Sequence, residues 1–190
     1  MSQAFSGKVC AVTGGGSGYG RGIVEKLKSA GAEVIIADIS ESAGSQTARD
    51  LNATFIRANV ADRSDWRSIL NVAIEKYGKL DIVVNNAGAC YLKKSSETVS
   101  ESEFDTVMDV NLKALYFSVS VIVPHLLECG QRASFVNIAS ASGIRPRPGL
   151  AWYSASKAAI NNASNCLAVE YAARGIRFNT VCPVFGLTSM

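Results

Sequence analysis

The chain has 190 residues, of which 48% are hydrophobic, 8% aromatic and 18% charged, a composition that suits one compact domain with a substantial core. This composition excludes a collagen, a coiled coil and a fully disordered chain. The formal net charge of +3, from 19 basic and 16 acidic residues, is too small to indicate a dedicated nucleic-acid or membrane binder.

The N-terminus and the cysteines indicate where the protein works. Residues 1–8 lack the charged stretch and apolar run of a signal peptide. The richest apolar stretch, residues 115–127, is interrupted by polar residues and is shorter than a membrane span. The five cysteines are odd in number and form no CxxC pair, so neither a disulfide framework nor a zinc site is indicated. We therefore expect a cytoplasmic protein with free thiols.

Short β-branched runs alternate with longer amphipathic segments along the chain. Several short runs are continuously apolar, as in parallel strands that helices cover on both faces. The predicted strands are residues 8–13, 33–37, 54–57, 82–85, 134–138 and 177–181. The predicted helices are residues 19–30, 40–52, 63–77, 100–129 and 153–174. This order predicts an α/β fold with a doubly wound parallel sheet, in a single domain of residues 1–190.

A glycine-rich segment follows the first predicted strand and leads directly into a helix. It reads TGGGSGYG from Thr13 to Gly20. Glycines let the main chain approach a pyrophosphate, whose charge is met by the free N–H groups of the helix N-terminus. The segment contains neither GxGxxG nor the Lys and Ser or Thr of a P-loop, which disfavours a kinase or an ATPase.

Asp38 ends the second strand, about 20 residues after the glycines, at the spacing of an acidic residue that binds an adenosine ribose. A carboxylate there would repel a 2′-phosphate, so we expect NAD as the cofactor rather than NADP. Taken alone, without the glycines, Asp38 is better interpreted as an ordinary helix cap. The sequence Asn85-Asn86-Ala87-Gly88 closes the fourth strand, and it fits either a turn or a surface that admits a flat ligand.

Tyr153 and Lys157 lie four residues apart and therefore on one helix face. A tyrosine that acts as an acid and base near neutral pH needs a pKa below its usual value of about 10. We expect the Lys157 ammonium, joined by the positive ring of an oxidised nicotinamide, to lower it. Ser140 offers a second hydroxyl to a substrate oxygen. Asn111 lies inside a long predicted helix, where a polar residue needs a reason such as a buried water.

These motifs resemble those of the classical short-chain dehydrogenases/reductases, in order and spacing, from about residue 7 to residue 183. They are TGxxxGxG from Thr13, NNAG from Asn85, Ser140, and YxxxK from Tyr153. The resemblance implies a Rossmann-like fold and hydride transfer between nicotinamide C4 and the alcohol or carbonyl carbon of a small molecule. It also implies homo-oligomers, which we expect to pack through residues 100–129 and 153–174.

The resemblance further implies a role for each site residue. Tyr153 would be the acid/base, Lys157 its electrostatic partner and a ribose ligand, and Ser140 the carbonyl binder. Asn111 would hold a proton-relay water. The residues expected to bind the cofactor are Gly14, Ser17, Gly18, Tyr19, Gly20, Asp38, Asn59, Val60, Asn86, Ala87, Gly88, Tyr153, Lys157 and Pro183.

The sequence also departs from the family pattern. Asn59 stands where an Asp near adenine is usual, and Val184 follows Pro183 where Gly is usual. Six strands are predicted where the family has seven, so we expect the last strand and the substrate-covering lid to be absent and residues 177–181 to form an unpaired edge. Two hypotheses follow: an active oxidoreductase that interconverts a secondary alcohol and a ketone, or a dinucleotide-binding scaffold or inactive partner subunit.

Two basic residues, Arg145 and Arg147, follow Ser140 closely in a proline-containing segment. A guanidinium near the substrate pocket could clamp a carboxylate or a phosphate. Loops lie at the surface and commonly carry solvated charges, and we expect the two arginines to be of that kind.

Overall fold

The fold is built on one parallel sheet. The computed structural model describes residues 3–184, in which six strands pair in the order β3-β2-β1-β4-β5-β6. The strands are β1 (Val9–Thr13), β2 (Glu33–Asp38), β3 (Thr54–Arg57), β4 (Ile82–Asn85), β5 (Ala133–Ile138) and β6 (Ile176–Val181). All five pairings are parallel. The order is that of a doubly wound sheet, and it confirms the predicted fold class.

The second, third and fourth α-helices along the chain each begin at a side chain that caps a free main-chain N–H group. The helices are α1 (Gly18–Ser29), α2 (Glu41–Leu51), α3 (Arg63–Tyr77), α4 (Glu101–Val107), α5 (Ala114–Glu128) and α6 (Ala151–Tyr171). Ser40 caps α2 by accepting a hydrogen bond from the Ala43 N–H, and Asp62 caps α3 by accepting one from the Ser64 N–H. The cap of α2 is therefore Ser40, and the interpretation of Asp38 as an ordinary helix cap is wrong.

Helices cover both faces of the sheet. On one face, Trp66 of α3 and Ile122 of α5 belong to the same buried cluster as Phe135 of β5. On the other face, Val24 of α1 packs in a cluster with Val34 of β2. Each of these side chains is nearly or fully buried, and burial of one such group contributes about 1.5–3 kcal/mol to stability. The sheet is thus held between two apolar layers, which fix the loops at its carboxyl edge.

The sequence predicted that several strands are buried on both faces of the sheet. This applies to β1, whose five residues are all buried. It does not apply to β5, where Ala133 and Phe135 are buried but Val136 and Ile138 are only partly buried. Strand β6 pairs with β5 alone. Within residues 3–184, β6 is therefore an edge strand, as predicted for residues 177–181.

The long helix predicted at residues 100–129 has a wider turn in its middle. Residues Met108–Lys113 form a π-helical segment between α4 and α5, a rare feature that is common at functional sites. By length and composition, the run Glu101–Glu128 is long and apolar enough to cross a membrane, unlike the shorter stretch 115–127. Its side chains Leu115 and Ile122 are buried against the sheet and its neighbours, as expected of a core helix.

Candidate active site

A cavity of about 760 Å³ lies at the carboxyl ends of the strands, and loops following the strands form most of its wall. This is the edge at which open α/β sheets bind ligands. Every residue predicted above for catalysis or cofactor binding lines the cavity except Asn111. Asn111 lies just behind the wall, where a Cβ on Gly88 would be 3.3 Å from its Oδ1. The structure therefore brings the predicted site residues together.

The glycine loop has no room for side chains at several positions, of which Gly14 and Gly20 lie against the end of β4. Gly14 has a φ of +64°, and a Cβ there would lie 3.0 Å from the Cα of Ala87. A Cβ on Gly20 would overlap the carbonyl oxygen of Gly14 and would lie 2.6 Å from the Asn86 Nδ2. Helix α1 therefore starts tightly against the loop, and its first turn faces the cavity with the N–H end of the helix.

Thr13 and Asn86 tie the ends of β1 and β4 together. The Thr13 hydroxyl accepts hydrogen bonds from the N–H groups of Asn86 and Ala87 at 3.0 and 3.1 Å. The Asn86 side chain donates to the carbonyl oxygens of Thr13 and Gly14 at 2.9 and 3.3 Å. Asn86 lines the cavity, but its amide supports the glycine loop. The role of Thr13 was missed, because the sequence does not reveal which strand ends are neighbours.

Asp38 joins the glycine loop to the end of β2. Its Oδ2 accepts a 2.8 Å hydrogen bond from the Gly16 N–H, and its Oδ1 accepts a 2.9 Å bond from the Ser40 N–H. The carboxylate also lines the cavity. A carboxylate oxygen can accept more than one hydrogen bond, so both oxygens retain capacity for ligand hydroxyls.

Asn59 and Val60 line the cavity beyond Asp38. The Asn59 side chain accepts a hydrogen bond from the Ala61 N–H at 3.1 Å, which turns its oxygen towards its own loop. The carbonyl oxygen of Val60 accepts a 2.9 Å bond from the indole of Trp66. Both residues are thus anchored by their neighbours in the segment that follows β3.

Three functional groups meet at the opposite end of the cavity. Helix α6 carries Tyr153 and Lys157, and the Lys157 Nζ lies 5.9 Å from the centre of the Tyr153 ring. The hydroxyls of Tyr153 and Ser140 share a hydrogen bond. The Ser140 oxygen also accepts bonds from the N–H and hydroxyl of Ser142, at 3.2 and 3.0 Å. This arrangement presents two hydroxyls and an amine on one side of the cavity.

Burial controls the pKa of both catalytic candidates on α6. Burial raises the pKa of Tyr153 above its usual value, although the hydrogen bond with Ser140 and the charge of Arg147 oppose the rise. Burial lowers the pKa of Lys157 to about 8, because it disfavours the charged form of each group. In the protein alone, burial therefore outweighs the causes that lower the Tyr153 pKa, and the lowering expected beside an oxidised nicotinamide stays a prediction.

Asn111 clamps the loop after β4 to helix α6. Its Oδ1 accepts a 2.8 Å hydrogen bond from the Ala89 N–H, and its Nδ2 donates to the Ala89 carbonyl oxygen at 3.0 Å. The same Nδ2 donates to the Ser156 hydroxyl at 2.9 Å. Both amide hydrogens are thus used within the protein, which explains why a polar side chain is buried on this helix. Its role as the holder of a relay water stays a prediction.

Part of the cavity wall was not anticipated from the sequence. Arg147 lines the cavity whereas Arg145 does not, although both side chains are exposed, as expected of solvated loop charges. The further unpredicted lining residues near Tyr153 include Cys90, Tyr91, Lys93 and Leu150. They lie on two loops that meet where the Lys94 N–H donates to the Gly149 carbonyl oxygen at 3.2 Å. No local sequence signal identifies such a meeting of distant loops.

Known proteins share both the sequence and this architecture. Residues 8–190 match the sequence model of a family described as short chain dehydrogenase. A 4-formylbenzenesulfonate dehydrogenase of Comamonas testosteroni is 44% identical over 188 residues, which span 96% of this chain and 74% of that protein.

Two solved structures are similar as well. A 3-ketoacyl-(acyl-carrier-protein) reductase from Brucella melitensis, complexed with NADH, superposes with a TM-score of 0.94 at 35% identity and covers 97% of this chain and 78% of its own. A short chain dehydrogenase/reductase from Burkholderia phymatum, in complex with NAD, superposes with a TM-score of 0.91 at 30% identity, over 96% of this chain and 67% of its own. The chain therefore belongs to the short-chain dehydrogenase family of oxidoreductases.

Proposed function

We propose that the chain is an NAD-dependent oxidoreductase that interconverts a secondary alcohol and a ketone, with Tyr153 as the acid/base. One observation carries the proposal. The hydroxyls of Tyr153 and Ser140 and the amine of Lys157 lie at one end of a cavity whose other end carries the glycine loop and Asp38. The substrate is a small alcohol or carbonyl compound. The Comamonas testosteroni relative is named for an aromatic aldehyde, which supports carbonyl chemistry here.

The residues of the cavity fit a dinucleotide. The glycine loop offers main-chain N–H groups where no Cβ fits, which suits a pyrophosphate. Asp38 would bind the adenosine ribose, and its charge would reject the 2′-phosphate of NADP. Two similar structures are complexes with NADH and NAD. The adenine and nicotinamide ends would contact the remaining cofactor-binding candidates: Ser17, Gly18, Tyr19, Asn59, Val60, Asn86, Ala87, Gly88 and Pro183.

The side chains at the reacting end have different roles in proton transfer. When bound, NAD supplies the hydride acceptor and, in its oxidised form, a positive charge that favours ionisation of the nearby phenol. Tyr153 takes the hydroxyl proton of the alcohol, or returns one to the carbonyl oxygen. Ser140 accepts two hydrogen bonds from Ser142. Its own proton, which it shares with Tyr153 in the protein alone, would turn to the substrate oxygen when a substrate is bound.

Lys157 and Asn111 support the proton transfer in this proposal. With a pKa of about 8, the Lys157 amine can gain and lose a proton closer to neutral pH than an ordinary lysine does. It also serves as a ribose ligand. Asn111 holds the segment around Ala89, and by family resemblance it would also hold a relay water.

We also propose how the protein exists in the cell. Residues 1–190 form a single dinucleotide-binding and catalytic domain that works in the cytoplasm. Exposed apolar side chains on the two long helices, Tyr116 at 58% and Val169 at 83% exposure, favour a homo-oligomer that packs through α5 and α6. Light scattering on the purified chain measures the oligomeric state, and a monomeric mass would contradict this part of the proposal.

The activity is tested with purified chain, NAD and a panel of secondary alcohols, followed by the absorbance of reduced nicotinamide. Tyr153→Phe is expected to bind NAD but to lose at least about 100-fold in kcat. The control Tyr77→Phe removes a hydroxyl that bonds to Thr54, far from the cavity, and should keep its activity. NAD binding by the wild type without any turnover that depends on Tyr153 would instead favour the scaffold hypothesis.

A further inference from the structure

The charged side chains of the cavity are separated along its length. Among the lining residues, Asp38 is the one acidic side chain within residues 3–184, and it lies at the glycine-loop end. Lys93 and Arg147 line the end that carries Tyr153, together with the buried Lys157. The reacting end of the cavity is therefore positive and has no carboxylate of its own.

Neither Lys93 nor Arg147 is neutralised by a neighbour. Within residues 3–184, their side chains form no hydrogen bond or ion pair. The adjacent Lys94 does pair, with both carboxylate oxygens of Glu103 at 2.7 and 2.6 Å. Lys94 is therefore paired with an acidic residue, whereas Lys93, which lines the cavity, is available to a ligand.

The two cations are held on loops that touch each other. The Lys94 N–H donates to the Gly149 carbonyl oxygen at 3.2 Å. A Cβ on Gly149 would lie 2.7 Å from the Cγ of Lys93, so the aliphatic stem of that lysine packs against the main chain two residues after Arg147. The charge of Arg147 also acts on the Tyr153 hydroxyl, whose pKa it lowers against the larger effect of burial. The guanidinium is thus close to the reacting end.

We propose that Arg147 and Lys93 form the anion-binding side of the substrate pocket, and that the natural substrate is an alcohol or ketone that also carries a carboxylate or a sulfonate. This inference rests on the proposed oxidoreductase function and adds the class of substrate. A guanidinium pairs with such a planar or multidentate oxyanion through parallel hydrogen bonds, and the lysine adds a second charge. Tyr91 and Leu150, which line the same part of the cavity, supply apolar surface for the body of the substrate.

The test compares two ketones that differ only in charge, acetophenone and 4-acetylbenzoate, each reduced with NADH. The wild type should prefer 4-acetylbenzoate by about tenfold or more in kcat/KM, mainly through KM. In Arg147→Ala the ratio of the two kcat/KM values should fall by about tenfold. The double variant Lys93→Ala/Arg147→Ala should lower this ratio further. Added salt should reduce the wild-type preference.

Arg145→Ala is the matched control, because Arg145 carries the same charge on the same loop but does not line the cavity. It should leave the ratio unchanged. An equal fall in the Arg145 and Arg147 variants, or no fall in either, would overturn the inference. If the wild type reduces neither ketone, the panel of secondary alcohols decides the proposed function, and calorimetric binding decides the inference separately. Binding of 4-acetylbenzoate that is lost in Arg147→Ala supports it, whereas binding that does not depend on Arg147, or no binding, overturns it.

Discussion

The amine of Lys157 donates a 2.9 Å hydrogen bond to the main-chain oxygen of Ile138, the last residue of β5. This bond joins helix α6 to the end of the sheet. Because Ser140 follows Ile138 by two residues, the same contact fixes the amine relative to the Ser140 hydroxyl. The amine is also buried, so protonating it opposes folding.

We expect the free energy of unfolding to depend on the protonation of Lys157. Its pKa is about 8 in the folded chain, against 10.5 for an ordinary lysine. Between these values the unfolded state binds more protons, so the stability contributed by this group rises with pH, by up to about 3 kcal/mol. Urea unfolding of the wild type and Lys157→Met, at several pH values from 7 to 11, isolates the effect. The difference should move in favour of the wild type as the pH rises; a difference independent of pH contradicts the prediction.

Tyr153 is expected to titrate at higher pH than free tyrosine when the protein is alone. Burial is the largest cause, and it raises the pKa of the phenol above 10.0. Ultraviolet titration of tyrosinate in the wild type minus Tyr153→Phe gives the curve of this one residue. NAD should shift that curve to lower pH, because an adjacent positive charge favours the phenolate. A midpoint at or below the value of free tyrosine without NAD would show that burial does not dominate.

A methyl group added to Gly20 should weaken NAD binding strongly. The Cβ of Gly20→Ala would overlap the carbonyl oxygen of Gly14, so the loop or the start of α1 must move. We expect the Kd for NAD to rise more than tenfold and the Tm to fall. Gly22→Ala is the control: its Cβ would meet nothing within 4 Å, and the change should stabilise α1 by about 0.5–1 kcal/mol. Wild-type NAD affinity in Gly20→Ala would remove the glycine loop from the cofactor site.

Removal of the Asp38 carboxylate should change both coenzyme preference and stability. In Asp38→Ala we expect the affinity ratio of NAD to NADP to fall by about tenfold, because the 2′-phosphate is no longer repelled. The Tm should fall too, since the N–H of Gly16 loses its acceptor. Asp50→Ala changes the net charge equally at an exposed site paired with Arg21, and it should leave the coenzyme ratio intact. An unchanged ratio in Asp38→Ala would contradict the proposal that Asp38 binds the adenosine ribose.

Local pattern was sufficient for the sheet and for residues that line the glycine-loop end of the cavity. Each predicted strand lies within one residue of its position in the structure, because buried runs such as residues 9–13 pack only as strands between helices. Asp38 was found by its spacing from the glycines, and its contact with Gly16 is the physical reason for that spacing. Tyr153 and Lys157 were found by helical periodicity, which does place them on one face.

The substrate end was beyond the reach of sequence reasoning. Lys93 and Arg147 are far apart in the chain, and only the contact between Lys94 and Gly149 brings their loops together. The effect of burial on the Tyr153 pKa in the protein alone was also not anticipated, because burial is a property of the folded molecule that two residues at helical spacing do not reveal. The π-helical segment around Asn111 likewise depends on tertiary contacts with Ala89 and Ser156.

The contact between Asp38 and Gly16 limits the routes by which coenzyme preference can be engineered or can evolve. A Cβ on Gly16 would lie 2.9 Å from the Asp38 Oδ2, so this part of the loop cannot adjust by gaining a side chain of its own. A basic residue at position 38 would attract a 2′-phosphate but would leave the N–H of Gly16 without its hydrogen-bond acceptor. Asparagine, which removes the charge and keeps an oxygen acceptor, is the shortest step by which a lineage could widen its coenzyme range without dismantling the loop.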